Sequence, residues 1–305
     1  MDTVQISFFS IFHAETGKFA VLCARTVVSK GVAFYIQHML SWIPPFRRKT
    51  RPLVAVVRLS GAIGASGRSG LSDVGIAPLL ERAFSKGKPA AVALIINSPG
   101  GSPVQSSLIG ARIRRLAEEH EIPVYAFVED VAASGGYWLA AAADVIYVDD
   151  SSIVGSIGVI SAGFGAHIFL SRQGIERRVH TAGTSKSMMD PFRPEKPEDV
   201  TRLKGLLDQI HQSFISHVKL RRGPKLTDDP ALFSGEVWVG QNACDVGLAD
   251  FVGHMEPVLR EKFGSKVRFK QYGQRRSLAQ RFGLNVTDAL VHQIEERAAF
   301  ARFGL

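Results

Sequence analysis

Val131-Ala132-Ala133-Ser134-Gly135-Gly136-Tyr137 sets a serine between alanines and a glycine pair, immediately before the apolar run Tyr137 to Ala143. That order displays a hydroxyl at the start of a buried helix. Small neighbours let another backbone approach it, and the helix end offers unpaired N–H groups and a partial positive charge to an anion formed there. The plain alternative is a tight turn whose serine caps the helix. A second loop, Asn97-Ser98-Pro99-Gly100-Gly101-Ser102, has two glycines behind a proline, so successive N–H groups can face one space with no side chain between them. Donors of that kind suit a developing oxyanion, each contributing roughly 3 kcal/mol to a transition state. A turn into the next helix or an anion cradle would use the same residues.

A serine nucleophile needs a base. His167 and His180 stand in no recognisable acid–base motif, and Lys186 is the other candidate. A loop lysine is usually solvated; as a base it must be buried enough to lose its proton near neutrality. Gly183-Thr184-Ser185-Lys186-Ser187 is only a fragment of a phosphate-binding loop and follows no convincing buried strand, so a nucleotide site is not expected.

The surrounding elements would bring the loops together. Leu53 to Leu59, Ala91 to Ile96 and Pro123 to Val128 read as strands buried on both faces, with Val145 to Val148 and a short strand at Arg177 to His180 after them. Between them lie helical patterns: Asp73 to Lys86, its start delayed by Pro78, and Ser106 to Glu119, with Leu108, Ile109, Ile113 and Leu116 on one stripe. A long amphipathic helix follows at Glu198 to Leu220. Such alternation implies an α/β fold with a largely parallel sheet flanked by helices. The loops after positions 61, 97 and 131 then share the carboxyl edge of the sheet, where open α/β sheets build sites.

Composition narrows the classes. The chain has 305 residues, 46% hydrophobic and 21% charged, enough for a sizeable core. Cys23 and Cys244 are too few for a disulfide framework or a thiolate zinc site, and no metal or cofactor is expected. The net charge of +9 is partly carried by Arg47, Arg48, Lys49 and Arg51 and by Arg275, Arg276 and Arg281, with no nucleic-acid motif beside them, so nucleic-acid binding is not expected. Residues 1–51 read as an N-terminal extension without an uninterrupted apolar run of about 20 residues. Two readings of Val32 to Phe46 stay open: a helix lying on an anionic membrane surface with Arg47, Arg48 and Lys49 at its end, or a helix packed on the protein. Residues 256–305 read as a C-terminal extension, with Val286 to Phe303 as a surface or oligomer-contact helix.

Five ordered motifs carry a resemblance. Asn-Ser-Pro-Gly-Gly at 97 to 101, Ala-Ser-Gly-Gly-Tyr at 133 to 137, Gly-Ser-Ile-Gly-Val at 155 to 159, Lys186 ahead of Asp190-Pro191-Phe192, and Gly247-Leu248-Ala249-Asp250 before Gly253 resemble peptidase family S49, the SppA and SohB type. The likeness covers residues 52–255, and Ser134 and Lys186 are 52 positions apart, as in the short, single-domain members. It implies a ClpP/crotonase-like fold and a serine endopeptidase with Ser134 as nucleophile, Lys186 as general base, and Gly100 and Gly101 as oxyanion contributors. It also implies short apolar peptides as substrates, signal-peptide remnants among them, and a homo-oligomer such as an octamer whose sites are shared between subunits. Placement in the cytoplasm or on the inner membrane is the expectation, the periplasmic face being the alternative. A crotonase-like acyl-CoA enzyme, a ClpP-like Ser-His-Asp peptidase and a catalytically silent membrane scaffold are the rival readings.

Overall fold

The computed structural model describes residues 3–12, 20–29, 51–64, 71–183, 185–273, 297 and 299–305. The chain divides into two compact units, Met1–Thr50 and Arg51–Leu305. In the first, β1 (Thr3–Phe12) and β2 (Ala20–Ser29) pair antiparallel, from Thr3 opposite Ser29 to Phe12 opposite Ala20. The membrane-surface reading of Val32 to Phe46 falls outside the described residues. No helix among the described residues is long and apolar enough to cross a membrane.

The second unit is α/β, a mostly parallel sheet flanked by helices. Its strands are β3 (Leu53–Ser60), β4 (Ala91–Ser98), β5 (Val124–Ala133), β6 (Val145–Val148), β7 (Ile153–Gly155), β8 (Val237–Val239), β9 (Phe251–Val252) and β10 (Arg268–Tyr272). The order across the sheet is β10-β3-β4-β5-β6-β9, all parallel. β5 pairs β6 through its first half and β7 through its last three residues, and its register against β4 shifts between Ile96 and Ser98. The strand that ends at the serine thus exchanges β6 for β7 and shifts register against β4 just before the site, staying in the sheet. β10, past position 255, is the sheet edge beside β3, so part of the expected C-terminal extension belongs to this sheet.

The apolar runs are continuous because both faces are covered. Ala55, Val57 and Leu59 of β3 face α1 (Asp73–Ser85), α2 (Pro103–His120) and α3 (Gly135–Ala141), in one core with Leu80, Ile113 and Leu139. Val54 and Val56 face the other way, with Ala93, Phe127 and Leu259 of α7 (Met255–Phe263). Burying such side chains contributes roughly 1.5–3 kcal/mol each before chain entropy is subtracted.

Several expectations are corrected. Pro78 does not delay α1: Ser72 caps it, its Oγ accepting from the Gly75 N–H at 3.3 Å, and Ile76, Leu79 and Phe84 are buried, which outweighs the one donor that Pro78 lacks. Leu108 is not on the buried stripe of α2 but exposed. Arg177 to His180 forms no strand; it lies in an arm, residues 160–196, whose helix α4 (His167–Arg172) buries no residue. The long helix α5 (Pro197–Arg222) buries only Phe214, Val218 and Arg222, so its first half carries apolar residues such as Leu206 in solvent. The last helix of the unit before α7 is α6 (Gly240–Asp245).

Candidate active site

Ser134 sits between β5 and α3 with φ 51° and ψ −121°, a backbone state that a residue with a Cβ adopts at a cost. Two bonds hold it there: its N–H donates to the Gly155 carbonyl at 2.8 Å, and its own carbonyl accepts from Trp138 N–H at 3.0 Å. The side chain does not cap α3. A capping serine would spend its hydroxyl on the helix start, and this one does not. The strand, sharp turn and buried helix instead aim the hydroxyl outward.

The loop at 99–102 packs against this turn so tightly that side chains are excluded. A Cβ on Gly101 would lie 2.0 Å from the Ile63 carbonyl oxygen, and one on Gly100 would lie 2.8 Å from the Ser134 Cβ. Ile63 N–H donates to Gly100 O at 2.8 Å and Ser102 N–H to Ile63 O at 2.7 Å, leaving the Gly101 N–H between them without an acceptor among the described residues. The Gly100 N–H is turned away, to Ser98 Oγ at 3.3 Å. Gly135 is the first residue of α3, so its N–H has no partner within the helix. The Gly101 nitrogen is 3.4 Å from the place a Gly135 Cβ would occupy. Gly101 and Gly135 therefore offer free donors beside the serine, and Gly135 was not foreseen. Sequence cannot show which N–H of a glycine pair is already bonded.

Crowding at Gly135 is testable. A Cβ there meets Ser106 Oγ at 2.3 Å. Gly135→Ala is expected to destabilise the fold by about 1–3 kcal/mol, and Ser106→Ala in the same chain to recover most of it, read from thermal denaturation of the single and double variants.

Ser134 opens into a cleft of about 570 Å³. Trp138, Val159, Ile160, Ile210 and Phe214 supply apolar walls, and Pro99, Ser106, Ser156 and His211 also line it. Ser156 has a positive φ of 50° and is held through its N–H to the Glu236 carbonyl at 2.6 Å. His167 and His180 do not line the cleft; His211 does, with Nε2 2.9 Å from the Ile157 carbonyl. His217 lies behind it, its ring 4.5 Å from that of Trp138 and its Nε2–H donating to the Trp138 carbonyl at 3.1 Å. Both histidines share a helical face with Phe214 and Val218, a spacing the sequence shows but which carries no acid–base motif.

Burial lowers the His217 pKa from 6.5 to about 4. The unfolded chain therefore takes up this proton before the folded one does. Stability should fall as pH is lowered from about 6.5 to about 4, by up to about 3 kcal/mol. His217→Phe, which keeps a ring on Trp138, is expected to flatten that part of a melting-temperature profile against pH.

Lys186 is exposed, on a turn at 185–189, and is not among the residues lining the cleft. The arm that carries it is bonded to itself and to the start of α5: Ala166 N–H to the Pro191 carbonyl at 2.6 Å, Phe192 N–H to Asp190 Oδ1 at 3.0 Å, and Arg202 Nη1 to Ser185 Oγ at 2.5 Å. Its apolar side chains face solvent, with Phe164 91% exposed.

The Gly247–Asp250 motif supports α3 from behind. Tyr137 donates its hydroxyl proton to the Leu248 carbonyl at 2.8 Å, and buried Arg222 donates to the Gly247 carbonyl at 2.9 Å and to Asp250 at 2.8 Å. Asp250 in turn accepts from the Ile146 N–H at 2.8 Å. These bonds fix the helix whose first residue follows the serine.

Comparison with known proteins decides the family. The model of "Peptidase family S49" matches residues 117–266. A putative protease of Synechocystis sp. (slr0021) is 30% identical over 212 residues, covering 70% of this chain and 74% of that protein. The chain belongs to peptidase family S49. The probable protease SohB of Haemophilus influenzae is 29% identical over 242 residues, 79% of this chain and 67% of that one. A Na(+)/H(+) antiporter NhaA of Brucella abortus is 44% identical over 325 aligned residues, covering 98% of this chain but only 44% of its own length. The chain thus spans less than half of that relative. A solved 1510-N membrane-bound stomatin-specific protease superposes with a TM-score of 0.43 at 13% identity, over 74% of this chain and 99% of the other. The stretch matched by the S49 model contains Ser134, Lys186 and the Gly247–Asp250 motif.

Proposed function

We propose that this S49 peptidase is a serine endopeptidase with a Ser–Lys dyad, acting on apolar stretches of peptide. The carrying observation is Ser134: a strained residue at a strand–helix turn, its hydroxyl unspent on the helix, facing an apolar cleft with two free N–H donors beside it. In this reading Ser134 Oγ attacks the scissile carbonyl as Lys186 Nζ takes its proton. The oxyanion is held by the N–H groups of Gly101 and Gly135, in place of the Gly100 and Gly101 pair of the sequence reading. Lys186 returns the proton to the leaving amine, and water then hydrolyses the acyl-enzyme. The walls of Trp138, Ile210 and Phe214 favour an apolar side chain next to the scissile bond.

Lys186 stands outside the cleft of its own chain, so the proposal includes a second copy. The exposed apolar residues of the arm, Phe164, Ile168 and Phe169 among them, are the surface that a neighbouring subunit would cover while Lys186 enters that neighbour's cleft. Covering the arm would also supply the desolvation that a lysine base needs.

The antiporter name is taken to describe the part of the Brucella protein outside the aligned stretch. The alignment takes in 98% of this chain but only 44% of that protein, and within this chain the S49 model matches residues 117–266. A serine-directed fluorophosphonate tests the proposal: it should label the wild-type protein at Ser134 and leave Ser134→Ala unlabelled. Equal labelling of both would refute the nucleophile, and turnover of an acyl-CoA thioester without labelling would favour the crotonase-like rival.

A further inference from the structure

We infer that the segment 299–305 is an intramolecular plug of the Ser134 cleft, one that competes with substrate without being cleaved. This rests on the reading of that cleft as the peptide-binding site. Arg302 and Phe303 line the same cavity as Ser134, Trp138 and Phe214, and Phe303 is half-buried there. Leu305 reaches a second cavity, of about 420 Å³, beside Phe127, His254 and Met255. The segment therefore meets the rest of the second unit at two places, with a phenylalanine in the cleft that holds Ser134.

The backbone of the segment distinguishes a plug from a substrate. Peptides that are read as extended strands offer their N–H and C=O groups to the protein. Here the donors of the last three residues are already used: Phe303 N–H donates to the Phe300 carbonyl at 2.9 Å, Gly304 N–H to the Ala301 carbonyl at 3.1 Å, and Leu305 N–H to the Phe300 carbonyl at 3.4 Å. A closed helical turn fills space but presents no extended bond to Ser134. Its hold is modest, because Arg302 and Leu305 remain largely in solvent. An extended substrate gaining main-chain bonds can displace it.

The test uses the full chain with two readouts. In the first, p-benzoylphenylalanine replaces Phe303 and is photoactivated; a cross-link within one chain to the 210–214 stretch of α5 or to Trp138 is expected. Its absence, or its formation only between chains, overturns the inference whether or not Ser134 is a nucleophile. In the second, Arg302→Ala/Phe303→Ala is compared with wild type for the rate of fluorophosphonate labelling and for cleavage of an apolar peptide. Labelling about 5-fold faster or more and a lowered KM at unchanged kcat are expected when an occluded fraction is released. Equal rates overturn the plug. Loss of the segment from wild type but not from Ser134→Ala, seen by mass spectrometry, overturns it in favour of a substrate. If the cross-link forms but no variant is labelled at Ser134, occupancy of the cleft stands and the serine-peptidase reading falls.

Discussion

Ser134→Gly is expected to abolish peptide hydrolysis and at the same time make the protein more stable. The first effect follows from loss of the attacking oxygen, with a decrease of about 10³-fold or more when a catalytic serine is removed. The second follows from φ 51° and ψ −121° at this position, where a side chain costs roughly 1–3 kcal/mol and glycine costs little. Glycine also loosens the unfolded chain, which takes back about 0.4–1 kcal/mol. A net gain of about 1 kcal/mol remains, or about 2–4 °C in melting temperature for a domain of this size. Ser134→Ala is the matched control, since it loses the oxygen but keeps the Cβ and the strain. It should be as inactive as the glycine variant and melt close to the wild type. A glycine variant that melts below the alanine variant would show that the turn is not strained. Retained hydrolysis in either would remove Ser134 from the mechanism.

The strain also explains why the serine was legible and its partners were less so. Small residues on both sides of Ser134 and an apolar run after it are local facts, and the elbow they predict is local. The parallel sheet was legible for a similar reason: Leu53 to Leu59 and Ala91 to Ile96 are apolar at every position because helices cover both faces. Gly135 was missed because its value lies in an N–H left free by helix geometry, while the more conspicuous Gly100 gives its N–H to Ser98. The supposed strand at Arg177 to His180 failed because it pairs with no strand of the sheet, and four residues with Val179 as their one apolar member cannot report pairing. The first half of α5 read as amphipathic, which it is, but its stripe at Leu206 and Ile210 has no core to face. The apolar residues of the arm, Phe164, Ile168 and Phe169 among them, likewise stand in solvent. Periodicity tells which side chains avoid water, not which molecule covers them.

That uncovered surface leads to the prediction that bears most directly on Lys186. Lys186→Ala is expected to be inactive, with a loss of about 10²–10⁴-fold for a missing general base. So is Ser134→Ala, for the reason already given. If the lysine served its own chain, a mixture of the two variants would hold no intact site. If it serves a neighbour, a mixed assembly contains sites that take Ser134 from one variant and Lys186 from the other. Random mixing in equal amounts then restores about a quarter of the wild-type sites in a closed ring, because each site draws its two residues independently. The proteins should be mixed after dissociation at low concentration and reassembled, with hydrolysis of an apolar peptide as the readout. Phe164→Asp introduced into both variants is the control. It puts a charge on the most exposed aromatic residue of the arm, 91% free in the single chain, and should prevent the recovery while leaving each subunit folded. Recovery near a quarter that disappears with Phe164→Asp would tie catalysis to assembly through the arm. No recovery, in a mixture shown by sedimentation to contain mixed oligomers, would return Lys186 to its own chain. The arm would then have to swing from its solvated position into the cleft beside Ser134.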